Sequence, residues 1–186
     1  MKATTSERGT PKADARRPAG KPSLDAKDSV IDLVPALLNI KSILVPIDFS
    51  DTSKKALRYA ERLAAQFGAA ITLVHVIEPI ATPDFAFHPL MLENAEAKAA
   101  ARNRLDQLAV EMKLPPKMLE QSLVRFGSAF AEITEAARTL KADLIILATH
   151  GHTGLKHVML GSTAERVVRH ASCPVLVVRE KEHEFV

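Results

Sequence analysis

From Ser42 to Val178 the chain alternates short apolar runs with longer segments whose apolar residues return every three or four positions. Ile43-Leu44-Val45-Pro46-Ile47 is almost unbroken in its apolar character, the pattern of a strand covered on both faces. Pro46 has no N–H to give to a ladder, so it belongs near that strand's end. Asp48-Phe49-Ser50-Asp51-Thr52 then offers helix N-caps. Ala56, Ala60, Leu63, Ala64 and Phe67 follow at helical spacing, and Gly68 supplies the stop. Residues 71–77 predict a second strand. A loop with Pro79, Pro83 and Pro89 leads into an alanine-rich helix at about 91–112, with Leu105, Leu108, Ala109 and Met112 as its buried stripe.

Residues 119–125 read as a third strand, diluted by Glu120, Gln121 and Ser122. Gly127 turns the chain into a helix with Phe130, Ile133, Ala137 and Leu140 on one face. Asp143 to Ala148 is the clearest buried strand, a short helix runs from Ser162 to about His170, and Val175–Val178 is the last strand. Five strands separated by helices predict an α/β fold: right-handed crossovers, a five-stranded parallel sheet, helices on both faces. In such a sheet ligands bind beyond the carboxyl ends of the strands, where the strand order reverses. With an order 3-2-1-4-5 the first and fourth strands flank that point. The rule nominates Pro46–Ser50, Val76–Glu78 and Ala148 onward.

Composition narrows the class. The 186 residues, 47% hydrophobic and 25% charged, fit one ordinary globular domain large enough to bury a core. A single cysteine, Cys173, excludes an internal disulfide. Its place beside Pro174, at the head of an apolar run, reads as an inert buried thiol. No apolar run reaches the ~18 residues of a membrane span. Val30 to Ile40 comes nearest and is broken by Asp32 and Pro35, so no membrane partner is expected.

Charge is unevenly placed. Lys2, Arg8, Lys12, Arg16, Arg17 and Lys21 against Glu7 and Asp14 give residues 1–24 a charge of +4, whereas the whole chain carries +3. The body therefore sums to −1 and is not a basic protein. Residues 1–28 are expected to form a disordered basic arm, followed by an apolar lead-in at 29–41, a domain at 42–180 and a flexible tail at 181–186. No long apolar region follows Arg16-Arg17, against a twin-arginine signal, and Glu7 and Asp14 sit badly in a transit peptide. A cytoplasmic location is expected, and nucleic-acid binding remains a generic property of the arm rather than a partner of the body.

The chemistry concentrates in Ala148-Thr-His-Gly151-His-Thr-Gly154-Leu-Lys-His-Val-Met-Leu-Gly161-Ser162-Thr163-Ala-Glu165. Three glycines in one connection let backbone approach a ligand closely. Ser162 with Glu165 has the spacing of a capping box, and a helix start preceded by glycine offers N–H groups and a positive dipole end to phosphate oxygens. A turn that merely ends one element and caps the next is the competing account.

Ile43–Ser50, together with Ala148–Arg179 and its closing His-Ala-Ser-Cys-Pro-Val-Leu-Val-Val, resembles the universal stress protein family, over about Ser42 to Arg179. The resemblance implies a Rossmann-like fold of the adenine nucleotide alpha hydrolase type and, in the family's ATP-binding branch, ATP with Mg2+. That branch carries glycine, two residues, glycine, nine residues, then glycine with serine or threonine. Gly151, Gly161 and Ser162 fit the pattern, while Ala148 stands at the first glycine position. By resemblance, Asp48 would bond a ribose hydroxyl or assist a metal, Pro46 and Ile47 would line the base, and the Val76 backbone would read the adenine edge. His150, Gly151, His152, Thr153 and Gly154 would wrap the ribose and α-phosphate, and Gly161, Ser162 and Thr163 would hold the outer phosphates. The resemblance further implies a homodimer, with the apolar edge Val175–Val178 paired to its own copy.

Plainer accounts stand beside these roles: Asp48 as a helix-proximal cap, Val76 and His75 as core residues, Lys156 as solvated. His150, His152 and His157 lack the companions and spacing of a metal site. No Gly-x-x-x-x-Gly-Lys-Ser/Thr loop is present, and no nucleophile–base pair is suggested, so no catalytic residue is assigned. Asp48-Phe-Ser-Asp-Thr contains no glycine, against the phosphate loop of related adenylating enzymes. Two functions are carried forward: an ATP-binding stress-response module with at most slow hydrolysis, and a member without nucleotide that works by dimerisation and partner docking. Ala148 favours the second.

Overall fold

A computed structural model describes residues 39–79, 95–149 and 160–181. Its elements are β1 (Ser42–Pro46), α1 (Asp51–Phe67), β2 (Ala70–Ile77), α2 (Ala95–Glu111), β3 (Leu119–Phe126), α3 (Ala129–Leu140), β4 (Leu144–Ala148), α4 (Ser162–His170) and β5 (Val175–Val178). The sheet is parallel throughout, in the order β3-β2-β1-β4-β5, as the strand–helix alternation predicts. β1 lies one residue earlier than the apolar run suggests, because Ser42 already pairs with Ala70 and the ladder ends at Pro46. The next N–H, that of Ile47, still donates to the Val74 carbonyl (2.8 Å).

Alternation along β1 divides the core. Ile43, Val45 and Ile47 join Ile71, Leu73 and Ile146 in a layer closed by Ala56, Leu57, Ala60 and Ala64 of α1 and Leu105, Leu108 and Ala109 of α2. Leu44 joins Val74, Ile145 and Leu147 on the opposite face, closed by Ile133, Ala136 and Ala137 of α3 and Ala164 and Val167 of α4. Small alanines at the contacts let the helices lie close to the sheet. Of the lead-in segment, Ile40 packs against the first layer; residues 29–38 lie outside the described residues, as do the arm at 1–28 and the tail at 182–186.

The amino ends of the central strands are pinned by Asp143, whose Oδ2 accepts the N–H groups of Lys41 (2.8 Å) and Ser42 (3.0 Å). Polar residues in β3 are explained by its edge position. Ser122 is buried there and donates its hydroxyl to Asp106 of α2 (2.7 Å). The buried lysine Lys55 donates to the Glu180 carbonyl (2.9 Å), fastening the exit of β5 to α1.

Helix ends use specific chemistry. Ser50 caps α1 by accepting the Ser53 N–H (3.1 Å), and Gly68, at φ +65°, closes it with its N–H on the Ala64 carbonyl. Lys141 closes α3 in the same left-handed conformation (φ +53°) without being glycine. Lys141→Gly is expected to stabilise the fold by ~0.5–1 kcal/mol in chemical denaturation, since only glycine adopts that conformation without penalty. Ser50→Ala is expected to lower stability by ~1–2 kcal/mol in the same measurement, through loss of the α1 cap.

Candidate functional site

Because the strands are parallel, α1, α3 and α4, which follow β1, β3 and β4, all begin at the carboxyl edge of the sheet, α1 on one face and α3 and α4 on the other. The structure thus brings together Pro46, Ile47 and Asp48 at the end of β1, Val76 near the end of β2, Ala148 at the end of β4, and Gly161, Ser162 and Thr163 at the start of α4. The Gly161 N–H donates to the Thr149 carbonyl (2.9 Å), so the α4 start sits directly at the exit of β4. His150, Gly151, His152, Thr153 and Gly154, with Lys156 and His157, lie outside the described residues.

The three helix starts differ in what satisfies them. At α1 it is the Ser50 hydroxyl. At α3 the N-cap Ser128 makes no side-chain bond; instead Glu78, just past β2, accepts the Ala129 N–H on Oε1 (2.7 Å). That carboxylate, 51 positions away, also opposes the positive end of the helix. At α4 the N-cap is Gly161, which brings no side chain of its own to cap with.

The expected Ser162–Glu165 capping box is therefore not formed. Gly161 is extended (φ −60°, ψ 149°), and its carbonyl accepts the first helical bond from Glu165 (2.9 Å), which makes Ser162 the first helical residue rather than the cap. Glu165 turns away to pair with Arg169 one turn on (2.9 Å). The first N–H groups of α4 are the orphan donors every helix start leaves, here at the open end of a dipole.

On the β1 side, Asp48 does not cap the helix itself. Its Oδ1 accepts both the N–H (3.0 Å) and the hydroxyl (2.6 Å) of Ser50, an Asx turn that orients the capping serine. Between them Phe49 adopts φ +66°, a conformation that costs a bulky L-residue about 1–2 kcal/mol. Two contacts offset that cost. The Phe49 ring lies 4.7 Å from the His75 ring, and the Arg104 guanidinium sits 4.0 Å over it; such contacts contribute roughly 0.5–1.5 and 0.5–1 kcal/mol respectively. His75 is half-buried, and its Nδ1–H donates to the Ile47 carbonyl (2.7 Å), so the histidine is satisfied, as its position in β2 implies. Phe49 and Arg104 were not legible as a pair: 55 positions separate them, and the positive φ carries no glycine to announce it.

Val76 is half-buried, and its side chain packs against the second core layer. Ala148 is the last residue of β4, paired with Val178. Among the described residues, those other than glycine with positive φ are Phe49, Lys113 and Lys141; the Ala148 backbone asks for nothing that only glycine has. Cys173 is half-buried rather than buried, because it lies in the turn before β5 with one side on the second core layer. Partial burial, with the Asp143 carboxylate nearby, still raises its pKa and keeps the thiol protonated and unreactive. Among the described residues no cluster of three or more His, Cys, Asp or Glu could hold a metal, and no helix is long and apolar enough to cross a membrane.

The model of the Universal stress protein family matches residues 39–179. Universal stress protein MJ0531 of Methanocaldococcus jannaschii is 35% identical over 150 residues, which cover 77% of this chain and 85% of that protein. The structure of MJ0577, from the same organism, superposes with a TM-score of 0.65 at 28% identity, covering 77% of this chain and 99% of that one. A universal stress protein of Archaeoglobus fulgidus in complex with dAMP has the same fold, with a TM-score of 0.53 at 19% identity, over 76% of this chain and 98% of that one. The match extends from the lead-in through β5 and takes in every strand and both flanks of the carboxyl edge: this chain belongs to the universal stress protein family.

Proposed function

We propose that this protein binds ATP at the carboxyl edge between β1 and β4 and works as a stress-response or signalling module, with at most slow hydrolysis and no catalytic residue. The observation that carries the reading is the start of α4. Of the described helix starts at that edge, those of α1 and α3 are closed by Ser50 and Glu78, while α4 starts on a glycine, which has no side chain to cap it with. An anion is what such a helix start accepts best. The dAMP held by the Archaeoglobus protein supports an adenine nucleotide as a ligand this fold accommodates.

In this reading the nucleotide domain spans residues 42–180. Gly161, Ser162 and Thr163 take the outer phosphates, Asp48 the ribose, Pro46 and Ile47 the base, and the Val76 main chain the adenine edge. His150, Gly151, His152, Thr153 and Gly154 close over the ribose and α-phosphate. Mg2+ enters with the triphosphate, held mainly by phosphate oxygens. Location in the cytoplasm, where ATP is abundant, goes with this function. The member without nucleotide is the second reading, and Ala148 is the residue that favours it; the extended backbone there weakens that argument, since alanine fits without strain.

Native mass spectrometry of the purified protein is expected to show bound ATP. Added ATP at about a hundred times its dissociation constant should stabilise the fold by about 2.7 kcal/mol, or roughly 5–10 °C in melting temperature. Gly161→Val should abolish that shift. The Gly161 backbone conformation is open to any residue, so the valine can fold while filling the space above the N–H groups. No co-purified nucleotide and no ATP-dependent shift would favour the second reading.

A homodimer through β5 belongs to the same proposal. Val175, Leu176 and Val177 are half-buried on a strand that, among the described residues, has a neighbour on one side only. Light scattering at micromolar concentration is expected to give twice the monomer mass, and Val177→Pro, which removes a ladder donor from the edge, should shift it toward monomer.

A further inference from the structure

We infer that Arg104 and His75 are positioning residues, which set the β1–α1 turn by holding Phe49 in its left-handed conformation. The local sequence does not account for that conformation: Phe49 is bulky, and positive φ is unfavourable to it. What holds it comes from two other elements. His75 of β2 meets its ring at 4.7 Å and is itself fixed by the Ile47 carbonyl, two residues before Phe49. Arg104 of α2 lies over the ring at 4.0 Å. The consequence falls on the flanking residues. With Phe49 so placed, Asp48 Oδ1 can take both the N–H and the hydroxyl of Ser50, and Ser50 can in turn take the Ser53 N–H. A relaxed Phe49 would separate Asp48 from Ser50 and release both.

This rests on the reading of Asp48 as part of the nucleotide site and extends it. A turn already set in the free protein spares the ligand the entropy of ordering it, so affinity depends on residues that need not touch the ligand. Arg104 is the useful handle, because it is exposed and its removal leaves the core intact.

The test uses the full-length chain and Arg104→Ala, with Arg104→Lys as the conservative variant, since an ammonium can also sit over the ring. Amide hydrogen exchange is followed at Ser50 and Ser53, beside the global unfolding midpoint and ATP affinity. Arg104→Ala is expected to speed exchange at both amides by roughly 3–10-fold, to lower the global midpoint only slightly, and to weaken ATP binding by less than that factor while the turn stays mainly closed, with Arg104→Lys restoring most of each. Phe49→Gly, which tolerates the backbone angle but lacks the ring, should speed the same exchange. Unchanged exchange in Arg104→Ala overturns the inference, and so does weaker ATP binding without faster exchange, which would make Arg104 a direct ligand contact. If the wild-type protein binds no ATP, the proposed function fails, while the exchange rates still decide whether the stack sets the turn.

Discussion

Ile43, Leu44 and Val45 have no exposed surface, and β1 has a parallel neighbour along each edge. A strand so enclosed can release the chain only at its ends, and parallel pairing sends every strand out on the same side. The carboxyl ends of β1 and β4, adjacent in the sheet but distant in sequence, are therefore forced to share one rim, with crossovers departing to opposite faces. The place where those crossovers part follows from the two-sided burial of β1. Removing that burial would undo the site along with the core.

Around the rim the same chemical problem, orphan N–H groups at a helix start, is solved in different ways. Ser50 serves α1 from within its own turn, Glu78 serves α3 from just past another strand, and α4 has at its N-cap Gly161, with no side chain of its own to offer. The difference is energetic as well as geometric. A carboxylate at one dipole end opposes its positive charge, whereas a glycine at another adds no charge of its own. Asp48, at the end of β1, has one oxygen committed to Ser50, so the fold's own hydrogen bonding orients its carboxylate. The Phe49 strain fits the same pattern: an unfavourable backbone angle persists where contacts from neighbouring elements hold it.

The sequence by itself determined the elements, their order and most of the core. Two-sided apolar runs mark Ile43–Val45 and Leu144–Leu147, and helical spacing marks Ala56, Ala60, Ala64, Ile133 and Ala137, because burial is a local pattern that the backbone period imposes. The glycine-and-serine start of α4 was legible for the same reason. Only the tertiary structure decided that Gly161 rather than Ser162 caps that helix, that Glu78 closes α3, that Asp48 serves Ser50, and that Arg104 and His75 meet on Phe49. The Glu78 and Phe49 contacts depend on where separate segments come to lie, and the two caps on local backbone geometry that neighbouring elements hold. A contact across 51 or 55 positions leaves no period in the sequence to read.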